Sequence, residues 1–495
     1  MRLSNKTLSQ INDTRLIKPP AGYLNLPIKV LQFGTGVLLR GLPDYLIDKA
    51  NRQGIFNGRI VVIKSTNTGN TDAFDQQDNL YTLMIKGVEN EQLVEQTIIN
   101  SAISHVLSAT DEWELILKEA ENPDLQLIIS NTTEVGIQLV KEDINATPPE
   151  SFPAKLLALL YHRYKVLGAS RDYGLIIVPT ELLPNNATAL KDILTVLIEF
   201  NELEPAFGKW LEECSHFCNS LVDRIVPGSP SEMERKVFEE KMCYQDELLI
   251  VSEPYCLWAI EGNAAIKSVL SFEKADEGVI IVPDIEIYRE LKLRLLNGTH
   301  TLSCAPAFLF GFDTVKAGID DRSFLVFVQE IMAEIMLSIP FKMDVQIAKN
   351  FSNQVIDRFK NPYIRHLWIN IAQQYSTKIK TRVLPLLEEY YRLYNRVPPY
   401  IAKGFAAYLF FMSNIKKTDS GYRAKYKQLC YPVNDLWANY FQAVSHTIPS
   451  SSFALTVLKN DELWGKDLNL YPGFTEAVQQ NIDQIIANGL TLFLD

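Results

Sequence analysis

The sequence predicts a two-part protein, an α/β half with a parallel sheet followed by an all-α half. Over roughly the first 280 residues, short apolar runs alternate with segments of helical periodicity, as in βαβ units whose helices cover both faces of a parallel sheet. Beyond about residue 284, amphipathic segments with apolar residues at helical spacing follow one another, and prolines fall between them.

Each element follows from these periodicities. Strands are predicted at residues 28–33, 59–64, 125–129 and 175–178. Helices of the first half are predicted at residues 42–51, 111–119 and 153–163. Helices of the second half are predicted at residues 288–310, 321–338, 377–394, 401–412 and 474–487. We therefore expect two domains, residues 1–284 and 285–495.

The composition is that of a folded protein with an acidic balance. The chain has 495 residues, 47% hydrophobic and 22% charged, which is enough for two or three full cores. Its 48 basic and 59 acidic residues give a net charge of -11, which argues against nucleic-acid binding because that needs a basic surface. No signal-peptide core and no membrane-spanning run is present. We expect a cytoplasmic protein with no nucleic-acid or membrane partner, and the oligomeric state is left open.

The six cysteines predict neither a disulfide framework nor a metal site. No two of them form a C-x-x-C pair. Cys214 and Cys218 lie one helical turn apart beside His216, but free cysteines usually pack in the core. We therefore expect no bound metal.

A glycine loop follows the first predicted strand, in the segment QFGTGVLLRG. A dinucleotide site needs a tight turn there, a close backbone approach to the pyrophosphate, and free N–H groups at a helix N-terminus. Gly34 and Gly36 suit the first two needs, and Arg40 could reach a phosphate as a charged donor. Leu39 replaces the third glycine of G-x-G-x-x-G, so the position after the first strand is what predicts a nucleotide site. The expected cofactor-binding residues are Gln32, Phe33, Gly34, Thr35, Gly36, Val37, Leu38, Leu39, Arg40 and Gly41.

The second predicted strand ends without the acidic residue that usually binds the adenosine ribose. It runs into Lys64, Ser65 and Thr66 instead. A lysine and hydroxyl groups could suit a 2′-phosphate, so the sequence leaves NADP open beside NAD. Asp72 could also approach the ribose from the following loop.

A polar helix is predicted where the two halves meet. Counting about 100° per residue from Lys292 places Asn297 near 140° and His300 near 80°, so all three could face one cleft. A buried lysine has a lowered pKa and can act as a general base, while Asn297 could donate to an oxyanion and His300 could hold or orient a partner. A solvated lysine and a core histidine are the alternative. Tyr288 and Lys292 also form Y-x-x-x-K, but the short-chain dehydrogenases that use this pair differ in glycine spacing and have shorter chains.

Four short motifs then occur in a fixed order. They are the glycine loop, TTEVGI at residues 132–137, SLVDRIVP at residues 220–227 and KLRLLNGTH at residues 292–300. Together they resemble the mannitol dehydrogenase family of long-chain polyol dehydrogenases, most closely its tagaturonate-reducing branch. RFKNP at residues 358–362 is a fifth, weaker match.

The resemblance implies an N-terminal Rossmann-type domain, a helical C-terminal domain, a bound NAD and no metal. It implies that Lys292 is the general acid/base and that Asn297 and His300 polarise the carbonyl and bind substrate. It adds Thr133 and Glu134 to the cofactor site and places Asp223 beside the nicotinamide. The implied reaction is the reversible reduction of tagaturonate, a small sugar acid, to altronate.

The sequence departs from the family pattern at several positions. Glu181 and Leu182 replace an Asp-Asn pair whose asparagine helps to form the oxyanion hole in the sugar-alcohol members, and Ile137 replaces a tyrosine. The family's substrate-binding arginine falls on Ile369 or Asn370.

A uronate carboxylate still needs a cation. Lys378 and Arg382 are the expected carboxylate-binding residues, with ordinary helix-surface charges as the alternative. The alternative functions are an enzyme of the same family that acts on fructuronate or on a sugar alcohol, and a non-catalytic nucleotide-sensing protein.

Overall fold

The computed structural model of the protein describes residues 1–66, 71–132 and 136–489. Contacts divide the chain into two compact units. The first, here called the sheet unit, comprises Met1–Lys86 and Leu93–Ile285. The second, the helical unit, comprises Gly87–Gln92 and Glu286–Asp495. Every helix in the described ranges is too short or too polar to cross a membrane.

The strands before residue 285 form three sheets. Their bounds are β1 Leu16–Ile17, β2 Ile28–Phe33, β3 Arg59–Lys64, β4 Tyr81–Glu89, β5 Gln92–Asn100, β6 Ile103–Ser108, β7 Leu127–Ser130, β8 Ile176–Pro179, β9 His216–Phe217, β10 Ser220–Asp223, β11 Ile250–Ser252, β12 Leu257–Glu261 and β13 Val279–Val282. The four predicted strands correspond to β2, β3, β7 and β8.

The main sheet has six parallel strands in the order β6-β3-β2-β7-β8-β9. The chain moves from β2 to one side of the sheet through β3 and β6, and then returns to the other side at β7. This reversal makes the β2–β7 boundary a topological switch point, where open α/β sheets bind ligands at the carboxyl ends of their strands.

Helices cover both faces of this sheet, as the alternation of apolar segments predicts. The helices before residue 285, of which α8 packs against the smaller β1-β5-β4-β11 sheet, are α1 Val37–Gly41, α2 Pro43–Arg52, α3 Asp72–Gln76, α4 Trp113–Glu119, α5 Phe152–Leu167, α6 Asn186–Phe200, α7 Pro205–Cys214, α8 Glu232–Met242 and α9 Ala264–Val269. Successive residues of one strand enter opposite cores: Val30 packs in one cluster and Leu31 in the other. A strand buried on both faces reads as a largely apolar run, and the predicted bounds of β2 and β3 match the structure although β2 also holds Lys29 and Gln32.

Two smaller sheets complete the strands before residue 285. One has the order β1-β5-β4-β11, and the other has the order β10-β12-β13. Asn90 and Glu91, with φ of 52° and 62°, link β4 to β5. A two-residue turn with positive φ is typical of a tight hairpin, but Asn-Glu lacks the glycine that usually marks such a turn in a sequence.

The α-helices from residue 286 onward belong to the helical unit. They are α10 Glu286–Leu291, α11 Asn297–Phe310, α12 Val315–Asp320, α13 Arg322–Ser338, α14 Val345–Phe359, α15 Trp368–Ile371, α16 Tyr375–Lys378, α17 Leu384–Tyr394, α18 Pro399–Phe411, α19 Ala438–Thr447, α20 Phe453–Leu458, α21 Asp461–Trp464 and α22 Phe474–Asn488. Two π-helical segments interrupt long predicted helices, Lys292–Leu296 between α10 and α11, and Ile379–Val383 between α16 and α17.

A small sheet qualifies the expectation of an all-α second half. Its antiparallel strands are β14 Ile415–Thr418, β15 Gly421–Tyr426 and β16 Leu429–Pro432. The expectation that this half is helical is confirmed, with this sheet as an addition. Lysines and tyrosines are frequent in residues 415–432, so the alternation of polar and apolar residues is weak there. The turn residues before Gly421 are the clearest sequence signal of this sheet.

Candidate active site

A cavity of about 540 Å³ lies at the carboxyl ends of β2, β3 and β7. It is placed at the switch point of the main sheet, and we call it the dinucleotide cavity. Its lining residues are Gly34, Thr35, Gly36, Lys64, Ser65, Thr66, Asn131, Thr132, Gly136, Gln138, Val140, Glu150, Ser151, Phe152 and Lys155.

Glycine is required at Gly34 and Gly36 for different physical reasons. Gly34 has φ of +123°, and a Cβ there would lie 2.9 Å from the Asn131 carbonyl oxygen, so the turn itself excludes other residues. Gly36 has φ of −61°, and a Cβ there would meet no protein atom within 4 Å. Only a ligand in the cavity would make a side chain at Gly36 costly. The cavity therefore has the open cradle that a pyrophosphate needs.

The other predicted loop residues support the cavity from behind. Phe33 is fully buried, and its ring lies 5.1 Å from that of Phe152. Gln32 is also fully buried and donates from Nε2 to the Gly34 carbonyl. Val37 and Leu38 pack against the core, Leu39 is buried in it, and the Gly41 carbonyl accepts a hydrogen bond from Arg224.

The placement of Arg40 does not support the expectation that it reaches a phosphate. Its side chain is 7% exposed, and Nη1 donates to the Leu248 carbonyl at 2.6 Å. The guanidinium carbon lies 5.7 Å and 5.5 Å from the ring centroids of Phe74 and Tyr81. Arg40 follows the loop in sequence, but the turn of α1 directs its side chain into the core.

Other polar groups face the cavity instead. Lys64 and Ser65 line it, and the Ser65 Oγ is buried without a hydrogen-bond partner, which is the state of a group that a ligand would satisfy. Lys155 of α5 is a second cation on the wall, and burial lowers its pKa. Sequence reasoning missed Lys155 because it lies far along the chain, in a helix read only as core. Asp72 begins α3 and is not part of the described lining.

Only some of the other residues expected in the cofactor site belong to the described part of the chain. Thr133 and Glu134 lie outside them, although Thr132 and Gly136 on either side line the cavity. Asp223 ends β10 and is 8% exposed. Arg224 beside it donates to the carbonyls of Gly41 and Glu253. The place of Asp223 beside a nicotinamide remains a prediction.

In the helical unit, Lys292 and Asn297 stand at the two ends of one π turn. The Asn297 N–H donates to the carbonyls of both Leu293 and Lys292, four and five residues back. A turn closed at five residues places these two positions over one another, closer than the α-helical count predicts. Lys292 is half-buried. The Asn297 side-chain amide has no hydrogen-bond partner among the residues that the structure describes.

His300 lies one turn further along, in a buried aromatic setting. Its ring stacks on Phe359 at 4.2 Å and meets His366 edge-on at 5.0 Å. Its Nε2 is buried with no hydrogen-bond partner. Burial lowers the pKa of His300 well below its usual value, and repulsion by His366, when that ring is protonated, and by the charges of Arg358, Arg382 and Lys378 lowers it further. His300 is therefore a neutral imidazole near neutral pH, ready to bond a neutral or negative group.

Lys378 and Arg382 both lie close enough to His300 to affect its charge. The Lys378 Nζ donates to the Ile371 carbonyl at 2.8 Å, and the Arg382 Nη1 lies 3.3 Å from the Thr301 hydroxyl oxygen. Each pKa is lowered mainly by burial, and in Lys378 also by the charge of Arg382. Neither cation has a carboxylate partner among the described residues, and such cations favour an incoming anion.

Arg358 joins Lys378 and Arg382 in a set of three cations, here called the cation cluster, and the His366 ring lies beside them. Arg358 is 8% exposed at the end of α14, where the weak RFKNP motif begins. His366 precedes α15, and its pKa is lowered by burial and by Arg358 and Lys378. No periodicity marks His366, so the sequence offered no signal for it. Of the two positions where the family's arginine was expected, Ile369 is half-buried and Asn370 is exposed.

Arg294 links the two π segments of the helical unit. Its Nη1 donates to the carbonyls of Thr381 and Arg382 at 2.8 and 3.1 Å, and Nε donates to Glu290 at 2.9 Å. Because π turns leave the regular backbone bonding pattern, they often occur at functional sites. The described residues contain no group of three or more His, Cys, Asp or Glu placed to hold a metal.

Comparison with known families agrees with the two-part fold. The mannitol dehydrogenase Rossmann domain matches residues 28–274, and the mannitol dehydrogenase C-terminal domain matches residues 284–486. The chain is 33% identical over 477 residues to an altronate oxidoreductase of Bacillus subtilis (strain 168), covering 96% of both chains. It is 32% identical over 484 residues to an altronate oxidoreductase of Escherichia coli O1:K1 / APEC, covering 95% of this chain and 96% of that one.

Solved structures show the same fold at lower identity. A D-sorbitol dehydrogenase in substrate-free form aligns with a TM-score of 0.77 at 19% identity, covering 100% of both chains. The Pseudomonas fluorescens mannitol 2-dehydrogenase, in a ternary complex with NAD and D-mannitol, aligns with a TM-score of 0.67 at 20% identity, covering 100% of this chain and 99% of that one. With both family domains matched and relatives above 30% identity along nearly its whole length, the chain belongs to the mannitol dehydrogenase family of oxidoreductases.

Proposed function

We propose that this protein catalyses the reversible, NAD-linked reduction of tagaturonate to altronate. The relatives that match nearly the whole chain are named altronate oxidoreductases. That name places the substrate among sugar acids, which differ from sugar alcohols by a terminal carboxylate. A carboxylate-binding group in the helical unit is therefore the feature that the proposal needs.

The cation cluster beside His300 is the observation that carries the proposal. Lys378 and Arg382 are partly withdrawn from water, and no described carboxylate pairs with them. Two like charges near each other are unfavourable until an anion joins them. A uronate carboxylate supplies one negative charge with two acceptor oxygens, which matches a lysine and an arginine as donors.

The residues that would hold the cofactor line the dinucleotide cavity. The backbone of Gly34, Thr35 and Gly36 would take the pyrophosphate, and Lys64 and Ser65 would face the ribose of the adenosine half. The reduced nicotinamide, when bound, supplies the hydride. This chain then has to position the substrate, stabilise charge and supply a proton.

Lys292 is the proposed general acid in the reductive direction. It would give a proton to the alkoxide that forms as the keto carbon is reduced, and it would take one back in the reverse direction. Asn297 and the neutral His300 would donate hydrogen bonds to that oxygen, which carries more charge in the transition state than in the substrate. Donation by His300 fits its buried, unpartnered Nε2.

The departure at Glu181 and Leu182 favours a uronate over a sugar alcohol. The sugar-alcohol members place an asparagine donor where Leu182 stands, and leucine has no polar side-chain atom. Glu181 cannot replace that donor, because its carboxylate oxygens already accept hydrogen bonds from Ser130 and Thr132. The site must then rely on Asn297 and His300 for the oxyanion.

A substrate panel tests the proposal. NADH oxidation should be fastest with tagaturonate, slower with fructuronate, and far slower with fructose, and the series should be repeated with NADPH. Fastest turnover of a neutral ketose would contradict the assigned substrate class. Tight NADH binding with no turnover of any uronate or polyol would indicate a nucleotide-sensing protein instead.

A further inference from the structure

One buried carboxylate braces the ends of β7 and β8, and the proposed chemistry does not use it. Glu181 follows β8 and is 3% exposed. Its Oε1 accepts from the Thr132 N–H at 2.9 Å and from the Thr132 hydroxyl at 3.0 Å. Its Oε2 accepts from the Ser130 hydroxyl at 3.1 Å. The carboxylate therefore ties the last residue of β7 to the second residue beyond it.

Neighbouring hydrogen bonds make this brace rigid. Asn131 donates from Nδ2 to the carbonyl and hydroxyl oxygens of Thr180 at 3.1 and 3.0 Å, and the Thr180 hydroxyl donates to the Ser130 carbonyl at 2.8 Å. From α6, the Asn186 Nδ2 donates to the Glu181 carbonyl at 3.1 Å. The backbone of Glu181 is thus fixed independently of its side chain.

The braced segment is one wall of the dinucleotide cavity. Asn131 and Thr132 both line it. The Asn131 carbonyl oxygen is the atom that a Cβ on Gly34 would approach to 2.9 Å, so this wall touches the glycine loop directly. A shift of the wall would change the width of the cavity beside that loop.

We propose that Glu181 is a positioning residue for the dinucleotide, holding the Asn131–Thr132 wall at the distance from the glycine loop that admits the cofactor. The inference rests on the proposed function only in requiring that a nicotinamide dinucleotide occupies this cavity. Leucine at position 181 would leave the Thr132 N–H and two hydroxyls without their acceptor, and the wall would rearrange to satisfy them. Glutamine keeps an acceptor for the Thr132 N–H, and the Ser130 hydroxyl can accept from its amide.

NADH titration of the full chain, followed by protein fluorescence, tests the proposal. Glu181→Leu should raise the Kd for NADH at least about tenfold, the effect of one unsatisfied buried donor, and Glu181→Gln should stay within about threefold. The KM for NADH should follow the Kd in Glu181→Leu, while kcat at saturating NADH changes far less. A Kd in Glu181→Leu equal to that of the original protein would overturn the proposal.

Glu334→Leu is the matched control. Glu334 is also a buried glutamate, 6% exposed, that accepts two backbone N–H bonds, from Tyr400 and Ile401. Glu334→Leu should lower the unfolding temperature and leave the NADH Kd unchanged.

Ser130→Ala provides a second test if Glu181→Leu does not fold. Ser130 is buried, does not line the cavity, and bonds Glu181 through its hydroxyl. The variant should raise the NADH Kd about threefold through loss of one charge-assisted hydrogen bond, and an unchanged Kd would overturn the proposal. Failure of the original protein to bind NADH would instead contradict the proposed function.

Discussion

At the scale of residues, the proposed catalytic group depends on one irregular turn. The Asn297 N–H bonds to the Leu293 carbonyl and, across a π turn, to the Lys292 carbonyl, which brings positions 292 and 297 closer to one face. The sequence predicted that Lys292, Asn297 and His300 share a surface, but a regular helix leaves Asn297 about 140° from Lys292. The π turn improves an alignment that the residue types had already suggested.

Lys292→Ala tests the catalytic assignment. Loss of general acid/base catalysis typically costs about 10²- to 10⁴-fold in rate, so kcat for tagaturonate should fall by that amount while the NADH Kd stays nearly constant. Stopped-flow measurement of NADH oxidation gives both quantities. Lys380→Ala, at an exposed lysine of the second π segment, is the control and should keep full kcat. Unchanged turnover in Lys292→Ala would rule out the role of Lys292.

Gly36→Val tests the dinucleotide cavity without disturbing the fold. A Cβ at Gly36 meets no protein atom within 4 Å, so the added methyl groups should cost little stability. They would occupy the place of the pyrophosphate and weaken NADH binding by more than about tenfold. Gly208→Val, at another position with open space for a Cβ, should bind NADH normally. Normal binding by Gly36→Val would show that the cofactor lies elsewhere.

At the scale of elements, the packing of α2 against β2 contains a buried acid. Asp44 in the first turn of α2 is fully buried, and burial raises its pKa to about 8. Its Oδ2 accepts from the Gln32 Nε2 at 3.4 Å, and its Oδ1 has no partner. The folded protein therefore keeps the Asp44 proton at pH 7, whereas the unfolded chain releases it near the usual aspartate pKa of 3.8.

This difference predicts a pH dependence of stability. Burial of Asp44 leaves the free energy of unfolding unaffected below about pH 4, where the acid is protonated in both states. As the pH rises from about 4 to about 8, the free energy of unfolding falls by about 1.4 kcal/mol per pH unit for this one proton. Asp44→Asn should remove that slope and be more stable than the original protein at pH 7. Urea unfolding between pH 5 and pH 8 measures it, with Asp75→Asn at an exposed site as the control. Equal slopes in the original protein and Asp44→Asn would contradict the buried, protonated state.

The elements also show what the sequence could and could not predict. Strands β2 and β3 were predicted to the residue, because each contains an apolar stretch buried on both faces of the sheet, at residues 30–31 and 60–63. Helix 288–310 was predicted as one element, because periodicity over 23 positions does not reveal a five-residue turn inserted in it. Arg40 was assigned from its place in the motif, and only the tertiary contacts with Leu248, Phe74 and Tyr81 show where its side chain goes.

At the scale of the whole molecule, the net charge is negative, whereas the charge of the cation cluster is positive. The chain carries a net charge of -11, yet Lys378 and Arg382 lie half-buried with no described carboxylate as partner. An acidic protein repels anions at long range, although salt screens that effect. The proposed selection of an acidic sugar would therefore come from the cation cluster, and this is the central claim.

The ratio of kcat/KM for tagaturonate to kcat/KM for a neutral ketose of the same chain length tests that claim most directly. A site built for a charged group rejects the analogue that lacks it, so the ratio should exceed about a hundredfold. Lys378→Met should lower the ratio at least about tenfold by slowing tagaturonate alone, and Lys380→Met should leave it unchanged. A ratio near one in the original protein, or a ratio unaffected by Lys378→Met, would contradict the account.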